Sequence, residues 1–183
     1  MANSATEVTR PLRRVEYDQL VALGVFEHER VELLEGEIVS MSPIGTSHNF
    51  AVQSLTELLV LGLRGRAWVR PQMSFAAHEL SEPEPDLAIC PRADYSLEQP
   101  AQALMIVEVA ESSLRYDRGR KLRVYASCAV PEYWVVNIPE RCVEVYDDPQ
   151  GSSYARCVRY EPGQSIGLAS FDDVVIHVSD ILK

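Results

Sequence analysis

The chain has 183 residues, 46% hydrophobic and 24% charged, with a formal net charge of −10. That length suffices for one domain with a proper apolar core, and the composition is ordinary for a globular protein. The acidic balance argues against loose, non-specific grip on nucleic acid, and without 18 consecutive apolar residues no membrane span is expected.

Residues 1–10 are polar, lack the apolar stretch of a signal peptide and are expected to be disordered, leaving 11–183 as a single domain. A short helix is predicted from Pro11 through Leu20, closed by Gly24. Two short strands, 30–34 and 37–41, flank Glu35-Gly36 as a hairpin. Ser47 is expected to cap a second helix carrying Phe50, Leu55, Leu58, Leu59 and Leu63 at helical spacing and ending at Gly62 or Gly65. Strands follow at 67–76, 87–90 and 104–109, the first two separated by a proline-containing linker at 79–85. Ser112 or Ser113 opens a helix to about Cys128. Further strands are predicted at 132–137, 141–146, 155–160 and 174–178. This order predicts an α/β (α+β) fold, a mixed central sheet flanked by helices, because hairpins and one strand–helix–strand crossover both occur. Cys90, Cys128, Cys142 and Cys157 lack C-x-x-C spacing and are expected to be core thiols of a reducing cytoplasm. Tyr133 and Trp134 lead into an apolar run and are assigned to the core.

Lysine is scarce: Lys121 and the terminal Lys183 are the only two, every other basic residue being arginine. Arginine serves for solvation and ion pairs but does not give up its proton, so a lone internal lysine is a candidate for chemistry. Lys121 lies in the segment 115–123, which carries five of the 17 basic side chains and one of the 27 acids. Such a run is either a solvated helix face or a substrate-facing patch. Asp86 follows Pro85 at the start of a short apolar strand, and Glu108 lies inside another. A carboxylate amid apolar residues needs a cation, a proton or a metal as partner. If the two strands are neighbours, both carboxylates face one spot, a set that suits Mg²⁺. On the following helix Asp117, Lys121 and Tyr125 fall on one face.

Pro85-Asp86 with Glu108-Val-Ala110 resembles the P-D…(D/E)-x-K signature of restriction-endonuclease-like nucleases. More narrowly, the chain resembles the Uma family of endonucleases. The resemblance rests on Arg30-Val-Glu-Leu-Leu-Glu-Gly-Glu-Ile-Val39, Ser42-Pro43 with His48, Pro85-Asp86-Leu-Ala-Ile89, Ile106-Val-Glu-Val-Ala-Glu-Ser-Ser113, Asp117 with Lys121 and Tyr125, and Val130-Pro-Glu-Tyr-Trp-Val-Val136. It implies a restriction-endonuclease-like core with an extra N-terminal hairpin and C-terminal strands. One departure stands out: position 110, where the general signature has lysine, is alanine, and the family pattern moves the lysine to Lys121. The resemblance also implicates Glu32 as a third acid. Glu32 shares a strand side with Leu34, opposite Val31 and Leu33, while Glu35 and Glu37 are assigned to a solvated turn. His48 is a local capping or packing residue on the residues alone; a histidine here could equally orient a carboxylate or meet a phosphate.

The expected activity is therefore phosphodiester hydrolysis of nucleic acid, DNA before RNA. Asp86, Glu108 and Glu32 surround Mg²⁺ or Mn²⁺, Lys121 assists, and His48, Asp117, Arg118, Arg120 and Tyr125 support the site or bind substrate. A homodimer would supply two sites for a duplex. Two other readings stay open: a nuclease-like fold kept as a non-catalytic nucleic-acid or protein-binding module, and a two-carboxylate glycosidase using Glu108 and Asp86.

Overall fold

The computed structural model describes residues 10–182. The tail expected to be disordered lies outside them except for Arg10, whose guanidinium donates to both Glu16 carboxylate oxygens at 2.9 Å. Helix α1 (Arg14–Ala22) starts three residues later than Pro11, because the Leu12 N–H is used on the Gly36 carbonyl and Arg13 takes the capping position. Strands β1 (Val31–Leu34) and β2 (Glu37–Ser40) pair antiparallel around Glu35-Gly36, both at positive φ, 50° and 81°. Such a two-residue turn matches the twist of the strands it joins. Glycine is needed at position 36 for space as well, since a Cβ there would come within 2.3 Å of the Pro11 side chain.

Helix α2 (Thr46–Leu63) begins at Gly45 rather than at Ser47, without a side-chain cap, and ends at left-handed Arg64 and Gly65. Strand β3 (Ala67–Pro71) is half the predicted length: proline lacks the N–H to continue a ladder, and Gln72 turns the chain at φ 48°. Next come β4 (Leu87–Pro91) and β5 (Met105–Ala110). The predicted long helix is α3 (Leu114–Tyr116), a π-helical turn (Asp117–Lys121) and α4 (Leu122–Ser127). Strands β6 (Glu132–Asn137), β7 (Cys142–Gln150) and β8 (Ser153–Tyr160) complete a six-stranded sheet of order β3-β4-β5-β6-β7-β8. Only β5 and β6 run parallel, joined by the α3–α4 crossover. A separate hairpin, β9 (Ser165–Leu168) with β10 (Phe171–His177), precedes the short α5 (Val178–Ile181). Strand β9 has no sequence expectation because four residues containing Gly167 carry too little apolar pattern.

All six residues of both β5 and β6 are buried, as expected for central strands covered on both faces. Odd positions of β5 and even positions of β6 (Val107, Val109, Trp134, Val136) meet Leu55, Leu59 and Leu63 of α2. The opposite face (Ile106, Ala110, Tyr133, Val135) meets Val124, Tyr125 and Ala126 of α4. Tyr17 of α1 covers Val31 and Leu33. Tyr133 and Trp134 are core as predicted. The cysteines are all free, but only Cys90 and Cys142 are core: Cys157 lies on the exposed face of the outer strand β8 and Cys128 is half-buried at a helix end. Among the described residues no helix is long and apolar enough to cross a membrane.

Two stability measurements follow from this packing. Leu55 is fully buried under α2 whereas Leu61 on the same helix is 65% exposed. Leu55→Ala should cost about 2–5 kcal/mol in chemical denaturation and Leu61→Ala no more than about 0.5 kcal/mol; equal effects would contradict the assigned face. The second concerns Glu82, buried beside β1 with Oε2 unpaired and Arg14 3.8 Å away. Burial, reinforced by Asp18, pushes its carboxyl up to about 7. The folded chain then binds this proton more tightly than the unfolded chain between the ordinary value near 4.5 and 7. Glu82 therefore costs stability as pH rises through that window. Glu82→Gln should raise the melting temperature relative to the parent chain at pH 8 and not at pH 4; a pH-independent difference would refute the assignment.

Candidate active site

Four elements bring their polar residues to one cleft of about 330 Å³. Strand β1 supplies Glu32: with Val31 and Leu33 turned towards α1, alternation sends Glu32 to the other side. Its Oε2 accepts the Glu84 N–H at 3.1 Å. Asp86 precedes β4, where ladder pairing with β5 ends at Leu87–Val107. The Asp86 side chain continues the pairing in place of backbone, Oδ2 accepting the Val109 N–H at 2.8 Å. Glu108 projects from β5 to the face covered by α4, and its Oε1 accepts from Tyr125 Oη at 2.6 Å.

The crossover helix completes the site. Lys121 Nζ lies 3.0 Å from Glu108 Oε1 and 3.2 Å from Glu32 Oε2, bridging two elements distant in sequence. Lys121 is 5% and Glu108 3% exposed, so this is a buried ion pair. Lys121 closes the π-helical turn, whose wider winding buries both Asp117 and Lys121. Isolated π turns of this kind are frequent at functional sites. Asp117 accepts from Ser113 Oγ at 2.6 Å, and its main-chain carbonyl accepts from Tyr133 Oη at 3.1 Å. From the first turn of α2, His48 Nε2 reaches Asp86 Oδ1 at 3.0 Å, while Nδ1 is buried without a partner.

Charge in the cleft is unbalanced: Glu32, Glu84, Asp86, Glu108, Glu111 and Asp117 line it with only Arg30 and Lys121 as permanent cations, and Arg30 is paired with Glu84. Burial pushes the Glu108 carboxyl well above the usual carboxylate range; Lys121 opposes this, and Asp117, Asp86 and Glu32 add to the rise. Burial likewise pushes Asp117 up to about 6 against the pull of Lys121 and Ser113. For Lys121 burial works against the charge, but Glu108, Glu32 and Asp117 outweigh it and hold the ammonium above its ordinary value. The site thus keeps its cation and has negative charge to spare.

That donor set is hard, oxygen-only and anionic, as Mg²⁺ and Mn²⁺ prefer. Asp86 and Glu108 fit the one or two carboxylates such an ion commonly takes. Glu32 does not converge with them as closely as a three-acid set requires. Among the described residues, three ligand atoms within 4.8 Å of one another occur only at Glu140, Cys142 and Glu144. There Glu144 is held by Arg118 and Tyr146, and Glu140 by Arg159, so those charges are already met.

Most of the expected set is gathered here: Glu32, His48, Asp86, Glu108, Asp117 and Lys121 line the cleft and Tyr125 lies beneath it. His48 is more than a local cap, since it contacts Asp86. Arg118 and Arg120 are not in the cleft. Arg118 Nε donates to Glu144 at 2.8 Å; Arg120 donates to Glu35 at 2.9 Å, Glu37 at 2.8 Å and the Leu34 carbonyl at 2.6 Å. Glu35 and Glu37 are accordingly anchors for the crossover helix rather than a merely solvated turn. The Glu84 N–H and the Val109 N–H gave no signal in sequence, because their roles arise only where separate segments meet; Ser113, expected as a helix opener, holds the Asp117 carboxylate. Ala110 is fully buried in the α4-side core, so a lysine there would enter apolar packing; Lys121 approaches Glu108 from the helix above instead.

The structure is similar to that of "a putative nuclease belonging to DUF820 from Anabaena variabilis ATCC 29413". The TM-score is 0.71 at 15% identity, with 93% of this chain and 97% of that one covered. At that identity the likeness is one of fold. The type IIG restriction endonuclease BpuSI aligns at TM-score 0.41 and 16% identity over 62% of this chain and 14% of its own, too little to carry an argument. No curated protein matches the sequence. The family model Uma2, described as "Putative restriction endonuclease", matches residues 14–179. The chain belongs to the Uma2 family.

Proposed function

We propose that the protein is a metal-dependent endonuclease that hydrolyses phosphodiester bonds, with DNA as substrate before RNA. The observation that carries this reading is the buried Lys121 ammonium held between Glu108 and Glu32 in the same cleft as Asp86. A purely structural ion pair would not need a cleft with excess negative charge open to a ligand. Asp86 and Glu108 would hold Mg²⁺ or Mn²⁺, while Glu32 would hold Lys121 beside them. The ion supplies Lewis-acid polarisation of the phosphodiester and lowers the pKa of attacking water.

The remaining work falls to side chains. Lys121, kept protonated by its carboxylate neighbours, stabilises negative charge on the transferring phosphoryl group rather than acting as a base. Glu32 and Asp117 set its position and charge. Tyr125 donates to Glu108 and fixes that carboxylate, and His48 does the same for Asp86. Four free cysteines suit a reducing cytoplasm, and a homodimer would present two such clefts to a duplex.

Incubation with plasmid, linear duplex, single-stranded DNA and RNA in Mg²⁺, Mn²⁺ or EDTA tests the reading directly. Cleavage is expected only with metal, in the parent chain and not in Asp86→Asn. Cleavage that persists in EDTA would refute metal dependence, and absence of both cleavage and Mn²⁺ binding would favour the non-catalytic module. Lys121→Met should lower the cleavage rate by about 10²–10³-fold, the usual loss of one charge-stabilising donor, while calorimetric Mn²⁺ binding persists. Unchanged cleavage in that variant would remove Lys121 from the chemistry.

A further inference from the structure

We propose that the β3 edge of the sheet is a stacking platform for unpaired bases of a nucleic-acid strand, built from Trp68, Arg92, Arg70 and Tyr95. This deepens the nuclease reading and rests on it. Trp68 is 42% exposed, whereas Trp134, the other tryptophan, is fully buried. Its ring is held in place, because the indole N–H donates to the Ala93 carbonyl at 3.0 Å. The Arg92 guanidinium lies 3.6 Å from the Trp68 ring centroid, and that of Arg70 5.5 Å from the Tyr95 centroid. Arg70 also donates to Gln99 at 2.7 Å. Among the described residues neither arginine has a salt bridge, in contrast to Arg118, Arg120 and Arg123.

Trp68, Arg70 and Tyr95 line a groove of about 620 Å³, with Arg92 lying over the Trp68 ring; the one acid of the groove, Asp94, already accepts the Ser96 N–H at 2.9 Å. On a molecule of net charge −10, two arginines unmatched by carboxylates make this a local attraction for a polyanion. Aromatic and guanidinium planes stack on any base face without reading sequence, provided the base is unpaired. The same surface is a poor fit for a second copy of the chain, since a dry interface would desolvate two arginines without counter-charges. The platform is also placed for the cleft. Gln72 donates its N–H to the Asp86 carbonyl at 3.1 Å, and Trp68 lies four residues back along the chain, about 13 Å at strand spacing. A strand with one phosphate at Asp86 can lay its next bases along β3.

Trp68 fluorescence supplies a readout separate from cleavage, Trp134 being shielded. The full chain in EDTA would be titrated with single-stranded oligothymidine of about 12 nucleotides and with its duplex, following emission and the anisotropy of labelled DNA. Single-stranded DNA should quench Trp68 and bind more tightly than duplex. Trp68→Ala and Arg92→Ala should each weaken binding by about tenfold. Trp68→Phe, which keeps a stacking ring, should lose the quench and keep most of the affinity. Unchanged affinity in both alanine variants, or no quench on binding, overturns the platform. So does a sedimenting dimer that Trp68→Ala dissolves with no effect on oligonucleotide binding. Quenching by a chain that cleaves nothing would uphold the platform and remove the nuclease reading; metal-dependent cleavage without quenching would do the reverse.

Discussion

A buried ammonium is stable only where opposite charge meets it, because removing a cation from water costs several kcal/mol even after relaxation. Lys121 imposes that condition on this fold. Its partners Glu108 and Glu32 come from the central strand β5 and the N-terminal hairpin, so the pair is satisfied only when crossover helix, sheet and hairpin have all docked. Tyr17 and the α1 cover keep Val31 and Leu33 on the far side of the hairpin, and strand alternation then delivers Glu32. The π-helical turn serves the same end by burying Lys121 and Asp117 together on the sheet side.

The basic run around Lys121 divides its labour. Arg118 is tied to β7 through Glu144, and Arg120 and Arg123 to the hairpin turn through Glu35, Glu37 and the Leu34 carbonyl. Ion pairs at exposed positions contribute little each, but ties on both sides of one short helix limit how it can rotate. Positional accuracy of this kind is what a site built on separate elements requires. Arg118 and Arg120, expected to support the site or bind substrate, are paired with Glu144, Glu35 and Glu37 on either side of the lysine.

On the proposed nuclease reading, an acidic protein acting on a polyanion needs local exceptions to its overall charge. In the cleft the exception would be a divalent ion held by Asp86 and Glu108, which the phosphate would meet in place of bare negative charge. On the β3 edge it is the pair of arginines laid over aromatic rings without acidic partners. Elsewhere the acidic surface disfavours prolonged non-specific contact.

Sequence by itself determined the mixed sheet and the order of most of its elements, β9 and α5 excepted, and it singled out the acids that the cleft gathers. Apolar runs such as Met105–Ala110 and the i, i+4 pattern of Leu55, Leu59 and Leu63 state locally which faces are buried. An uncompensated Glu108 and a solitary Lys121 announce themselves by composition alone. Tertiary structure decided the rest, because it depends on which segments meet. Charge pattern could not tell that Arg118 and Arg120 would be captured by Glu144 and the hairpin turn, or that His48 would reach across to Asp86. Nor could helical periodicity reveal the π turn, since its extra residue is accommodated by Tyr133 and Leu122 meeting the Asp117 carbonyl, contacts made only once the helix lies on the sheet.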